Sequence, residues 1–109
     1  MKLPQNATIA REKMIHYLLK WQPDNDKSKF LKLAGYSADN WQRLVGDIRK
    51  QVLSTDAEPL RKTAYGDLFR IRGVLKGPNG ATLRIVTIWM QENVSEKTKF
   101  ITLFPDKEM

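Results

Sequence analysis

The sequence predicts an α+β domain, with three N-terminal helices packed on one face of a C-terminal antiparallel sheet of three to four strands. Apolar residues recur at helical spacing through the first half of the chain, and from Tyr65 the period changes to two. Between two of the alternating runs stands Lys76-Gly77-Pro78-Asn79-Gly80, a strong hairpin turn signal.

The first helix is expected over about 9–21, because Met14, Tyr17, Leu18 and Trp21 fall at i, i+3, i+4 and i+7. A break follows at Gln22-Pro23-Asp24-Asn25, where proline and short polar side chains favour a turn. Asp26 is the expected cap of a second helix over about 27–34, and Gly35 its left-handed stop. Ser37 caps a third over about 38–53, whose stripe is Trp41, Leu44, Val45, Ile48 and Val52. Gly46 weakens that helix by about 1 kcal/mol relative to alanine, which suggests close packing against another element. The segment Ser54 to Lys62 is poorly patterned.

Strands are expected over about 65–75, 82–91 and 99–104. In the first, Phe69, Ile71 and Leu75 alternate with Arg70, Arg72 and Val74, so one face is apolar and the other carries guanidinium groups. Asn79-Gly80 offers the positive φ angles of a tight hairpin. The return strand is nearly all apolar, as in a strand covered on both faces, and Pro105 ends the last one. With no repeat and no linker-like run, residues 1–109 read as a single domain.

The chain has 109 residues, 19 Lys and Arg against 12 Asp and Glu, a net charge of +7, one histidine and no cysteine. It has no means of forming a disulfide or a thiolate metal cluster, and no metal or other cofactor is expected. Met1-Lys2-Leu3-Pro4-Gln5-Asn6 has no apolar segment behind its charge, so a cytoplasmic protein without membrane association is expected. The positive field favours a polyanion, with nucleic acid first and an acidic protein as the other choice.

The arginine pair Arg70 and Arg72 on a rigid strand suits a phosphodiester, since the guanidinium fork matches phosphate oxygens. Thr87 and Thr102 on the neighbouring strands offer hydroxyls, although β-branched filling of a strand explains each threonine equally well. On the partner strand either Thr87 and Trp89 or Arg84 and Val86 line the face beside the arginines. Lys27, Lys29 and Lys32 form a second basic group at the short helix; a solvated helix face is the plain alternative. His16 is the default proton carrier near neutrality, but a boundary histidine is more often structural. Tyr65 has the right group for proton transfer without being singled out by position. Walker loops, paired glycosidase carboxylates and nucleophile elbows are all missing from the sequence. The most economical enzymatic reading is metal-free catalysis on RNA, whose 2′-hydroxyl supplies the nucleophile.

The order Tyr17-Leu-Leu19, Lys27-Ser-Lys-Phe30, Gly35-Tyr36, Trp41, Leu44, Tyr65-Gly66, Gly77-Pro-Asn-Gly80, Val86-Thr-Ile-Trp89 and Ile101-Thr-Leu-Phe-Pro105 resembles a family of small bacterial domains of unknown function. Those domains are often encoded beside a short antitoxin-like neighbour. The layout is more distantly similar to barnase-like, EndoU-like, colicin-like and RelE-like ribonuclease toxins. That resemblance implies metal-independent RNA cleavage on the exposed sheet face, with Lys27, Tyr65, Thr87 and Thr102 carried over by matching motif. Arg70 and Arg72 come from the strand pattern, and His16 has no counterpart in the resemblance.

The leading expectation is therefore a toxin-type endoribonuclease held by a small acidic antitoxin-like partner. Lys27 and Arg70 would clamp phosphate, Tyr65 or His16 would move protons, and Thr87 and Thr102 would orient the substrate, with Lys29, Lys32, Arg72 and Arg84 binding RNA. The alternatives are a non-catalytic basic module for an acidic protein and an RNA-binding domain without cleavage.

Overall fold

A computed structural model describes residues 1–107. Helical segments and a four-stranded antiparallel sheet of order β1-β2-β3-β4 make an α+β fold. Helix α1 consists of an α turn, Arg11–Lys13, continued by a π turn, Met14–Leu18; α2 is Ser28–Lys32. Helix α3 runs through a 3-10 turn Ala38–Asn40, an α segment Trp41–Asp47 and a π turn Ile48–Val52. The strands are β1 Glu58–Lys62, β2 Gly66–Lys76, β3 Thr82–Glu92 and β4 Thr98–Pro105.

The helical layer departs from expectation. Only the C-terminal turn of α3 packs along a strand, laying Val52 across Gly73 of β2, while α1 and α2 contribute single side chains, Met14, Leu18 and Leu31, to the core. The π turn of α1, closed by Leu19 N–H donating to the Met14 carbonyl (2.8 Å), rotates the apolar stripe. Leu19 is buried in consequence, and Trp21, expected on the stripe, is 59% exposed beyond the helix end.

The caps follow the sequence. Asp26 accepts from the backbone N–H of Ser28 (3.3 Å) and Lys29 (3.1 Å), satisfying donors that the start of α2 leaves free. At the other end Tyr36 N–H donates to the Leu31 carbonyl (3.2 Å) and Gly35 N–H to that of Lys32 (2.9 Å), with Gly35 at φ 93. This is a Schellman closure, which requires that left-handed residue. Ser37 and Asn40 form a capping box before α3. Gly46 does not mark close packing: a Cβ there would meet nothing within 4 Å.

The hairpin turn is built around Gly80 alone, at φ 86, with Gly80 N–H donating to the Gly77 carbonyl (3.0 Å). Asn79 is not in the left-handed region; it donates through its side chain to the Leu33 carbonyl (3.0 Å) and through its backbone to that of Ala34 (3.3 Å). Gly77 lies so close to the Ala34 carbonyl that a Cβ would collide with it. The hairpin tip is thereby docked on the end of α2.

Strand β1 was not expected. All five of its residues are exposed, so no alternation marks it, and a bulge between Pro59 and Arg61, with the charges of Arg61 and Lys62, blunts this outer edge. The opposite edge, β4, is covered by the N-terminal segment through Thr8 N–H to the Thr98 carbonyl (2.8 Å) and Phe100 N–H to the Thr8 carbonyl (2.8 Å). The core between helices and sheet centres on Trp89, packed edge-on against Phe100 at 5.3 Å. Among the described residues no helix is long and apolar enough to cross a membrane.

Candidate functional site

Alternation along β2 turns Phe69 and Ile71 into the core and Arg70 and Arg72 to the opposite face. Register across the sheet then sets two open-face rows, Arg70–Ile88–Thr102 and Arg72–Val86–Phe104. The segment before α2 brings Asn25, Asp26 and Lys27 to the same place. Together Lys27, Arg70, Arg72, Val86, Phe104 and Asp106 line a groove of about 680 Å³, with Asn25, Asp26, Pro105 and Lys107 also in its lining. Cations from three separate stretches of chain thus meet the apolar side chains of Val86, Phe104 and Pro105, with Asp26 and Asp106 among them.

Both arginines already hold a carboxylate. Arg72 Nη1 donates to Asp106 Oδ1 at 2.8 Å and Arg70 Nη2 to Glu58 Oε2 at 3.1 Å. The Nε–H of Arg70 is shielded from water and has no acceptor among the described residues, an unmet donor that ordinarily costs about 1–3 kcal/mol. Lys27 pairs with a phenol: its Nζ donates to Tyr17 Oη at 3.0 Å and stands 5.1 Å from the ring centroid, with Lys13 Nζ at 5.5 Å from the same ring. Tyr17 Oη also lies 3.2 Å from Thr102 Oγ1. The Lys27 hydrogen bond first, then that of Thr102, hold the Tyr17 hydroxyl below the ordinary tyrosine range, against the opposing effect of burial.

This geometry spans the helices and the sheet, and so does the family profile that matches residues 2–107. The chain belongs to the family described as a domain of unknown function, DUF6883. No curated protein and no solved structure matches this DUF6883 domain.

Of the residues the sequence proposed, the DUF6883 fold gathers Lys27, Arg70 and Arg72 in the groove and sets Thr102 beside it through Tyr17. Thr87 is not on that face. It pairs with Ile71, is 0% exposed, accepts the Trp89 indole N–H (2.8 Å) and donates to the Ile71 carbonyl (3.1 Å), so its hydroxyl closes a core network. The expectation that Thr87 stands beside the arginines fails because the register places Val86, its neighbour in sequence, opposite Arg72. Tyr65 is 79% exposed at the β1–β2 turn, five strand positions from Arg70, or roughly 17 Å. His16 is exposed on α1, Lys29 and Lys32 are exposed on α2, and none lines the groove. Arg84 is exposed on the open face in the row of Val74, outside the groove.

Sequence reasoning passed over Tyr17, Phe104 and Asp106. Tyr17 belonged to a core stripe, and its role depends on Lys27 reaching it from ten residues later. Phe104 had a signal, its place two residues from Thr102 and next to the buried Leu103, but a register irregularity shifts the alternation along β4, where Thr98 and Phe100 are the other buried residues. Asp106 follows Pro105 outside any periodic run, and only its meeting with Arg72 distinguishes it.

Proposed function

We propose that this DUF6883 domain binds RNA along the open face of its sheet and cleaves it without a metal, as a toxin-type endoribonuclease held in check by a small acidic partner. The observation that carries this reading is the convergence of Lys27, Arg70 and Arg72 on one groove with a phenol hydrogen-bonded to Lys27. Lys27 and Arg70 neutralise the scissile phosphate, whose developing charge is then met by fixed donors. Arg72, oriented by Asp106, holds an adjacent phosphate. The substrate's 2′-hydroxyl attacks the phosphorus and the 5′-oxygen departs, while Tyr17 exchanges protons at the groove edge in place of Tyr65 and His16.

The test is incubation of the purified protein with total RNA and a chelator. Wild type is expected to cleave, and Lys27→Ala, Arg70→Ala and Tyr17→Phe each to lose activity by on the order of 100-fold. Intact RNA with wild-type protein rejects cleavage, and activity untouched by all three substitutions rejects the site.

A second reading is favoured by the ion pairs Arg70–Glu58 and Arg72–Asp106, since this face already takes carboxylates. In it the groove docks an acidic protein and does no chemistry. Binding to RNA that is absent at low salt and present for an acidic polypeptide would establish this alternative.

A further inference from the structure

We infer that the groove is built for single-stranded rather than duplex RNA, with Phe104 as the platform on which one base stacks. This rests on the RNA reading above and specifies the form of the substrate.

The chain has four phenylalanines, of which Phe69 and Phe100 are buried and Phe30 packs against the core. Phe104 is the exception, 38% exposed on the open face. Its row-mates are Val86, which is buried, and Arg72, about 10 Å away across two strand spacings. Phe100 has Trp89 as a ring partner, whereas Phe104 has none among the described residues. An exposed aromatic ring without a ring partner among the described residues, in a groove lined also by Lys27, Arg70 and Arg72 and by the carboxylates of Asp26 and Asp106, presents both surfaces that a nucleotide requires: a π-face for the base and charge for its phosphate. In a duplex the base faces are consumed by stacking on each other, and only edges and backbone are offered to a protein. A splayed single strand offers both, and base–aromatic stacking tolerates any sequence because every base has a π-face. The alternating Arg70 and Arg72, about 6.6 Å apart along β2, lie on the same face for the backbone to follow.

The experiment measures binding of a fluorescent 2′-O-methyl RNA oligonucleotide, which lacks the attacking hydroxyl, and of the same strand annealed to its complement. Wild type, Phe104→Ala, Phe104→Tyr and Lys27→Ala are compared at one salt concentration, with folding of each checked by circular dichroism. The expected result is tighter binding of the single strand, a loss of roughly tenfold in Phe104→Ala and near-wild-type binding in Phe104→Tyr. Equal affinity for both forms, or Phe104→Ala binding like wild type while Lys27→Ala is weakened, overturns the stacking platform and leaves the RNA reading standing. No binding of either form by wild type overturns both.

Discussion

On β3, Val86 and Thr87 are adjacent in sequence and face opposite sides of the sheet, and the two sides treat polar groups differently. On the helix side, the Thr87 hydroxyl receives the Trp89 indole N–H and gives its own proton to the Ile71 carbonyl. Tyr36, in the same core, donates to Asp47 at 2.6 Å, and Arg43 holds that carboxylate from outside at 2.9 Å. Polar groups there are consumed internally, as burial demands. On the open side, the Arg70 Nε–H is left over and Lys27 has a neutral phenol where an acid would be expected. The difference separates a polar group that completes a core from one with capacity for a ligand.

The sharpest way to break this comparison is to truncate one aromatic residue on each side. Trp89→Ala removes the largest fully buried side chain and the hydrogen bond it donates to the Thr87 hydroxyl, so a loss of about 3–5 kcal/mol is expected in denaturant unfolding. Phe104→Ala, on the open side, is expected to cost less than about 1 kcal/mol. Comparable losses from the two would mean that the open face is as structural as the core.

A pH titration sharpens the same contrast with a smaller effect. Tyr17 is held below the ordinary tyrosine value of 10.0, chiefly by the Lys27 hydrogen bond. Tyr36 is pushed above it, chiefly by burial and then by its hydrogen bond to Asp47. Between the lowered Tyr17 value and 10 the unfolded chain binds the extra proton, so the Tyr17 contribution to stability grows as pH rises through that window. The Tyr36 contribution has the opposite sign: it is complete below 10 and falls as pH rises beyond, because there the folded state keeps the proton. Phenolate absorbance should therefore show one early tyrosine, lost in Tyr17→Phe and returned toward the ordinary value in Lys27→Met, and one late tyrosine lost in Tyr36→Phe. A single unsplit titration would refute the assignment of both environments.

Periodicity was a good guide where a residue's surroundings come from its own element. The core positions of α3, the Asp26 cap, the Gly35 stop and the alternation that exposes Arg70 and Arg72 were all legible from local spacing. What failed depended on contacts between elements. The π turn that swings Trp21 outward, the fully exposed β1, and the register that buries Thr87 are each settled by what packs opposite. The site divided the same way: Arg70 and Arg72 were visible as a strand pattern, whereas Tyr17 and Asp106 acquire meaning only from Lys27 and Arg72, far along the chain. The chain's membership of DUF6883, a domain of unknown function matched over residues 2–107, agrees with the expectation of such a domain.

The smallest predicted effect tests the helix side where the sequence misled. Gly46 lies within the α segment of α3, is exposed, and is not among the residues with positive φ. Since a Cβ there would meet nothing within 4 Å, no packing opposes alanine, and the unfolded chain loses backbone freedom that glycine would keep. Gly46→Ala should stabilise the protein by about 0.5–1 kcal/mol, read as a raised denaturant midpoint at constant slope. Gly77→Ala is the control with the opposite sign, because its Cβ would strike the Ala34 carbonyl and lift the hairpin from α2. If Gly46→Ala destabilises instead, α3 packs against something at that position after all, and the division between closed core and open face would have to be redrawn around it.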